Sequence, residues 1–361
     1  MLLLRADGQS ANLGVRVLRE GTEALVTRAL GPGTVVHAQN FDGGDTGVSF
    51  NRRAVSRDFL RSNGPIKTVL RGYDLVIDVC GGDSFTDIYG MKRLALVFYT
   101  QRASQRLGIP TVLGPQTIGP FERRISRRLA SASLRGMTLV LSRDRASERE
   151  AAELGRPADL SATDVVFALP VPLERTRHGV MVNVSGLLWS ENRHVEAARY
   201  RADVRALIDD LLDRGHTVTL LAHVLDNVGS DNDVPPIRTL AKEYGDRVAT
   251  AIPKSLNDVR YMVAGAELVI GSRMHACLNA LSTGTPTIPW AYSRKFQPLL
   301  EDIGWSHLVD LRTETDPVGA TGAILDARAL ADLIAEAGQV RASTSARLDP
   351  VITALARAVT A

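Results

Sequence analysis

Ala266-Glu267-Leu268-Val269-Ile270-Gly271-Ser272-Arg273-Met274-His275, continued by Ala276 to Thr283 and then by Gly284-Thr285-Pro286-Thr287-Ile288-Pro289-Trp290-Ala291-Tyr292-Ser293-Arg294-Lys295, decides the fold. Leu268 to Ile270 is a short apolar run of the kind that forms a strand buried on both faces, and 276 to 283 has the length and pattern of the helix that follows it. The run at 284 to 289 then starts a second strand, so the segment reads as strand, helix, parallel strand. In an open parallel sheet, ligands bind outside the carboxyl ends of the strands, where helix N-termini point free amides. Arg273, His275 and Lys295 fall at two such ends. Three cationic or titratable side chains gathered there point to a small anionic substrate.

The same alternation runs along most of the chain. Leu75 to Val79, Pro110 to Leu113 and Leu139 to Leu141 are predicted strands, separated by helical patterns at 91–107, 122–135 and 146–154. It restarts at Gly179 to Val184 and continues through strands at 217–222, 267–270 and 286–288. Between the halves, Leu169-Pro170-Val171-Pro172-Leu173-Glu174-Arg175-Thr176-Arg177 is rich in proline and charge, as suits a hinge. At 361 residues the chain exceeds the usual size of one hydrophobic core. The expected class is α/β, with two doubly wound domains facing each other across a cleft: residues 1–172, residues 178–345, and a C-terminal helix at 346–361 that packs back on the first domain.

Composition narrows the function. With 45% hydrophobic and 23% charged residues the chain is an ordinary globular protein, and a net charge of +3 without any Lys/Arg block argues against nucleic-acid binding. Arg5 and Asp7 interrupt the short Met1-Leu2-Leu3-Leu4 start, so neither a signal peptide nor a membrane-spanning segment is expected. Cys80 and Cys277 each sit in an apolar segment and read as buried thiols of a reducing cytoplasm. A basic face over Phe121 to Arg128 suits either a solvated helix or peripheral contact with the inner face of a membrane.

Four segments, in order, resemble the polysaccharide pyruvyl transferases: Val79-Cys80-Gly81-Gly82-Asp83-Ser84-Phe85-Thr86-Asp87-Ile88-Tyr89-Gly90, Gly114-Pro115-Gln116-Thr117-Ile118-Gly119-Pro120, Ser142-Arg143-Asp144-Arg145-Ala146-Ser147, and Ser272-Arg273-Met274-His275 through Lys295. The resemblance covers about 10 to 310 and implies a GT-B-like pair of Rossmann-like domains. It also implies transfer of a pyruvyl group from phosphoenolpyruvate to two hydroxyls of a sugar acceptor, as a cyclic ketal, with release of phosphate. The acceptor is a sugar or glycan, with lipid-linked and nucleotide-linked forms both fitting, and no further cofactor is required. One departure stands at 80–83, where many relatives have three glycines and this chain has Cys80-Gly81-Gly82-Asp83.

The chemistry can be argued from the residues as well. Phosphoenolpyruvate carries a phosphate and a carboxylate, so its site needs cationic donors and an acid that protonates the methylene carbon. A guanidinium fork such as that of Arg273 matches either anion in bidentate fashion, and the Lys295 ammonium acts as a point charge. An imidazole can give or take a proton near neutrality, and His275 is the candidate for that step. The family resemblance points to the same three residues. Asp83, Ser84 and Asp87 follow glycines that let a backbone approach a ligand, the two carboxylates sharing one face if the region is helical. As metal ligands they lack a partner at suitable spacing, so no metal is expected. Gln116, Arg143, Asn183, Ser185 and His223 end or follow predicted strands and complete the substrate-binding candidates, with an ion pair to Asp144 or Glu148 as the alternative for Arg143. Asp164 is placed at the domain junction. Two rivals remain: a GT-B glycosyltransferase using a nucleotide-sugar donor, and a catalytically silent member of the fold.

Overall fold

The computed structural model describes residues 1–173, 176–225, 229 and 231–360. Glu174 and Arg175, inside the stretch read as a hinge, lie outside the described residues. The chain divides into two compact units. The first comprises Met1–Gln9, Val15–Leu169 and Ser345–Ala361, the second Ser10–Gly14 and Pro170–Thr344.

In the first unit the strands are β1 (Leu2–Leu4), β2 (His37–Gln39), β3 (Val76–Asp78), β4 (Thr111–Gln116), β5 (Leu139–Ser142) and β6 (Leu160–Ser161). They form one parallel sheet in the order β2-β1-β3-β4-β5-β6. In the second unit β7 (Val180–Asn183), β8 (Val218–Leu221), β9 (Val248–Ala251), β10 (Leu268–Gly271), β11 (Thr287–Ala291) and β12 (Val309–Asp310) form another parallel sheet, ordered β12-β11-β10-β7-β8-β9. Each is doubly wound. The strand order reverses between β1 and β3 in the first unit and between β7 and β10 in the second, and those reversals are where this architecture opens a ligand crevice.

The central strands are covered on both faces, whereas β6 and β9 at the sheet edges are part-exposed. Leu2 to Leu4, Val76 to Asp78 and Leu268 to Gly271 are buried at every position, and all but Asp78 are the apolar or small residues that a parallel sheet under two helical layers demands. Around the second sheet Val182, Val204, Leu207, Leu220, Ile270 and Trp290 belong to one continuous core, in which Trp290 donates its indole N–H to Thr321. Polar starts fix the helices. Asp144 caps Arg145–Glu153 through Ser147 N, and Ser255 with Asp258 forms a reciprocal capping box on Leu256–Ala264. The C-terminal helix Asp349–Thr360 belongs to the first unit, where Ser345 Oγ donates to the Phe167 carbonyl and Arg347 to that of Ala162. No described helix is long and apolar enough to cross a membrane.

Candidate functional site

At the carboxyl edge of the second sheet, the reversal between β7 and β10 brings together residues that lie far apart in sequence. Asn183 ends β7; its Oδ1 accepts the Arg273 backbone N–H at 2.9 Å and its Nδ2 donates to the Leu221 carbonyl at 2.9 Å, tying three strand ends together. Asp233 is the hub of the loops above them. One of its carboxylate oxygens accepts the N–H groups of His223 and Val224, at 3.0 and 2.9 Å. The other takes the Gly186 N–H at 2.8 Å and the Arg273 guanidinium at 2.6 Å. Gly186 has to be glycine, because a Cβ there would run into the Asn232 carbonyl. On the far side Tyr200 accepts the Ser185 N–H and shares a 2.9 Å hydrogen bond with Ser272, and burial raises the Tyr200 phenol to about 12.

Arg273 follows β10 directly and is buried. Its Nε and Nη2 go to Asp233, and Nη2 also lies 2.6 Å from Asp231, whose side chain is 42% exposed. Desolvation works against this charge, yet Asp233 and Asp231 outweigh it and raise the guanidinium pKa. The fork expected to face an anion thus has one edge already committed to carboxylates. His275 lies in the first turn of the helix Met274–Ser282, partly buried. Residues Ser10–Gly14 belong to this unit and pass beside it: Leu13 N–H donates to the His223 carbonyl, and a Cβ on Gly14 would sit 2.7 Å from His275 Nδ1. Lys295 precedes the helix Phe296–Asp302 beyond β11, the neighbour of β10. Burial pulls its ammonium from 10.5 down to about 8.

His223 is 1% exposed, and desolvation, then the nearby His275 and Arg273, hold its pKa well below the ordinary value. Those surroundings favour the neutral ring. Asn279 donates to its Nε2 at 3.0 Å.

The first unit treats its candidates differently. Beyond β3, only Cys80–Gly82 is a single 3-10 turn, so Asp83 and Asp87 do not share a helical face. The Asp87 carboxylate accepts the N–H groups of Glu122 and Arg123 at about 3 Å, just ahead of the helix Arg124–Arg135. Desolvation would raise its pKa, but those amides outweigh it and bring it down. The reading of Asp87 as a ligand for sugar hydroxyls gives way to an anchor for the chain entering that helix, because its carboxylate is already taken up by the amides of the N-cap residue Arg123 and of Glu122 before it. Ser84 Oγ accepts from Arg93, and Asp83 accepts from the Tyr89 hydroxyl at 2.6 Å. Gln116 is fully buried, with Nε2 reaching the Asp78 carbonyl at 3.4 Å. Arg143 is buried too, paired at 3.1 Å with Asp164 and bonded to Thr117. Asp144, one of the two ion-pair partners expected from the sequence, lies within ion-pair distance at 4.0 Å, and Asp164 is the closer partner. Asp164 serves within the first unit, capping Val165–Ala168 through Val166 N.

Both cysteines are free and buried. Desolvation lifts the Cys277 thiol to about 12 and holds Cys80 well above its ordinary value. Sequence reasoning missed Asp233, Asp231, Tyr200, Asn279 and Arg260. The run Asp231-Asn232-Asp233 ahead of Val234-Pro235-Pro236 is a helix-start signal, but nothing local tells which carboxylate meets Arg273.

Comparison with known proteins agrees with this architecture. Over its whole length the chain is similar to UDP-GlcNAc 2-epimerase from Neisseria meningitidis, at 10% identity and a TM-score of 0.57 over 99% of both chains. HepE from Anabaena, solved with UDP and glucose, matches at 14% identity and a TM-score of 0.51, over 98% of this chain and 96% of that one. These likenesses show the GT-B-like fold of two Rossmann-like domains. The amylovoran biosynthesis protein AmsJ of Erwinia amylovora is 23% identical over 259 residues, 65% of this chain and 60% of that protein, so the chain spans less than two thirds of the relative's length. The polysaccharide pyruvyl transferase family model matches residues 14–294, ending one residue short of Lys295. With that match over most of its length, the chain belongs to the polysaccharide pyruvyl transferase family.

Proposed function

We propose that the protein transfers the pyruvyl group of phosphoenolpyruvate to two hydroxyls of a sugar acceptor, forming a pyruvate ketal and releasing phosphate. The observation that carries this reading is the placement of Arg273, His275 and Lys295 at the carboxyl ends of two adjacent parallel strands, β10 and β11, in a chain of this family. Asn183 and Ser185 frame the same edge.

The residues divide the work by chemistry. Lys295, charged below about pH 8, meets the phosphate or carboxylate as a point charge. Arg273 keeps its Nη1 side for the second anionic group, while its other edge anchors the loop through Asp233. His275 gives a proton to the methylene carbon, which becomes the methyl group as an acceptor hydroxyl adds to the central carbon. The C–O bond to phosphate then breaks, and a second hydroxyl adds to the same carbon to close the ring. Of the two hydroxyl protons, one replaces the proton that His275 gave and the other leaves with phosphate. The proposed chemistry calls for no cofactor beyond phosphoenolpyruvate, and the reading we propose is glycan modification in the cytoplasm or at the inner face of the membrane.

The test is incubation with phosphoenolpyruvate and a panel of nucleotide-linked, lipid-linked and free sugars in deuterated water, following phosphate release and the label. The expected product is a ketal whose methyl group carries deuterium. Consumption of a UDP-sugar without any need for phosphoenolpyruvate would favour instead the nucleotide-sugar chemistry named for the structurally similar epimerase.

A further inference from the structure

Behind the site, a chain of hydrogen bonds fixes the protonation of His223. Arg260 is buried at 2% exposure and donates through Nη1 to Asn279 Oδ1 at 3.1 Å and to Ser282 Oγ at 2.7 Å; its Nη2 donates to the Pro170 carbonyl at 3.1 Å. A guanidinium has no acceptor, so the Asn279 atom facing it must be the amide oxygen. The Asn279 nitrogen lies 2.8 Å from the His275 carbonyl, which has no donor, and 3.0 Å from His223 Nε2. Its two hydrogens are thereby assigned, one to the carbonyl and one to the imidazole. His223 Nε2 must then be a bare acceptor, and a neutral imidazole carries its one proton on the other nitrogen. No described residue bonds Nδ1.

The charges around the ring oppose a second proton from every side. Arg273 follows β10, His275 opens the helix beside it, and Arg260 stands behind Asn279. Among the described residues the carboxylate bonded to His223 is Asp233, which is engaged by the backbone N–H of His223 and by Arg273. A positive ring would in addition point N–H against N–H at Asn279.

We infer that Arg260 and Asn279 are positioning residues that lock His223 as a neutral Nδ1–H tautomer, and that this N–H is a fixed hydrogen-bond donor to an anionic oxygen of the bound donor substrate. The ligand half rests on the pyruvyl-transfer reading; the tautomer half does not. Such a donor holds an oxygen without exchanging a proton with it, which keeps proton transfer to His275 and makes the contact independent of pH over the working range.

Histidine-selective 15N labelling of the whole protein tests the first half without substrate. The expected result is a His223 ring protonated at Nδ1 whose signals do not move between about pH 5.5 and 8.5; a proton on Nε2, or titration near the ordinary value of 6.5, overturns it. Asn279→Asp, which offers an acceptor in place of the donor, should move the proton to Nε2 or charge the ring, and an unchanged tautomer in that variant overturns the relay. If the variant does not fold, the wild-type measurement still decides. Adding phosphoenolpyruvate should shift the Nδ1 signal, and His223→Ala should raise its KM roughly 10- to 100-fold with a smaller fall in kcat. His223→Asn, whose amide nitrogen can stand near the Nδ1 position, should recover part of that loss. An unmoved Nδ1 signal at saturating phosphoenolpyruvate, or an unchanged KM in His223→Ala, overturns the ligand contact. A protein with the expected tautomer that releases no phosphate with any acceptor sinks the pyruvyl-transfer reading instead.

Discussion

Each unit places an arginine straight after a strand that borders its strand-order reversal, and each pairs that arginine with a buried aspartate. After β1, Arg5 donates to both carboxylate oxygens of Asp78 and to Thr100, and Gln101 and the Cys80 N–H complete the Asp78 shell. After β10, Arg273 meets one oxygen of the buried Asp233 and a second carboxylate, Asp231, that is part-exposed. The first pair is closed: Thr100 and Gln101 of the helix Met91–Arg106 and the Cys80 N–H surround it, and both partners are buried. The second is over-supplied with carboxylate on its exposed side. A guanidinium held by a replaceable partner can exchange it for a substrate anion, whereas one sealed by a bidentate buried partner cannot. The same motif is a structural clamp in one unit and a candidate binding element in the other.

The largest effect is expected at the open site. His275→Gln keeps a hydrogen-bonding side chain but loses the titrating ring, so turnover should fall about 10²- to 10⁴-fold while phosphoenolpyruvate binding changes little. Single-turnover kinetics with deuterium incorporation will show it, and wild-type turnover would send the search for the acid to another residue.

At the closed pair the loss should be structural. Asp78→Ala strands the buried Arg5 charge and should cost about 3–5 kcal/mol in urea unfolding. Turnover per folded molecule should stay near normal. A loss of donor affinity without loss of stability would erase the distinction between the two pairs.

Lys295 supplies the pH signature. Its lowered pKa means that it loses charge as pH rises through about 8, so donor KM should climb up to tenfold per pH unit above that point, and Lys295→Arg should flatten the profile. Stability moves the other way. Between about 8 and 10.5 the unfolded chain holds the proton that the folded one has shed, so this group makes unfolding harder with rising pH in that window. A flat KM profile from pH 7 to 9.5 would remove Lys295 from the anion site.

Asp231→Asn should be nearly silent in stability, within about 1 kcal/mol, because Asp231 is part-exposed and the buried Arg273 keeps Asp233 as its partner. It should tighten phosphoenolpyruvate binding a few-fold by freeing Arg273, and weakened binding would show Asp231 to be part of the site rather than a competitor for it. Smallest of all, Asp87→Ala should cost about 1 kcal/mol, the loss of a helix-start anchor, and leave acceptor KM unchanged. A raised acceptor KM would restore Asp87 to the sugar site.

The alternation of apolar runs and amphipathic runs was legible, and β3, β4, β5, β7, β8, β10 and β11 all overlap predicted strands. Met1-Leu2-Leu3-Leu4 was not read as a strand, although it forms β1 beside the reversal. Three apolar residues ahead of an arginine have no period to reveal them, and only their pairing with Val76 to Asp78 makes them a strand. His37–Gln39 and Val309–Asp310 escaped for the same reason.

The candidate residues at strand ends were legible because a parallel sheet puts its chemistry there whatever the detail. Their roles were not. Arg273 and Arg143 look alike in sequence, each following a strand end and preceding a helix, yet one is shared between the buried Asp233 and the part-exposed Asp231 while the other pairs with the fully buried Asp164. His223 and His275 are both titratable side chains at the sheet edge, and only burial, with Arg260 and Asn279 behind it, sets His223 apart as the neutral one. Sequence by itself determined the α/β class, the family and the edge of the sheet where substrate chemistry gathers, since these follow from local periodicity and from residues close along the chain. Which carboxylate neutralises which guanidinium, and which nitrogen of a histidine keeps its proton, was decided by tertiary structure alone, because each depends on partners tens of residues distant and on the removal of water that gives those contacts their strength.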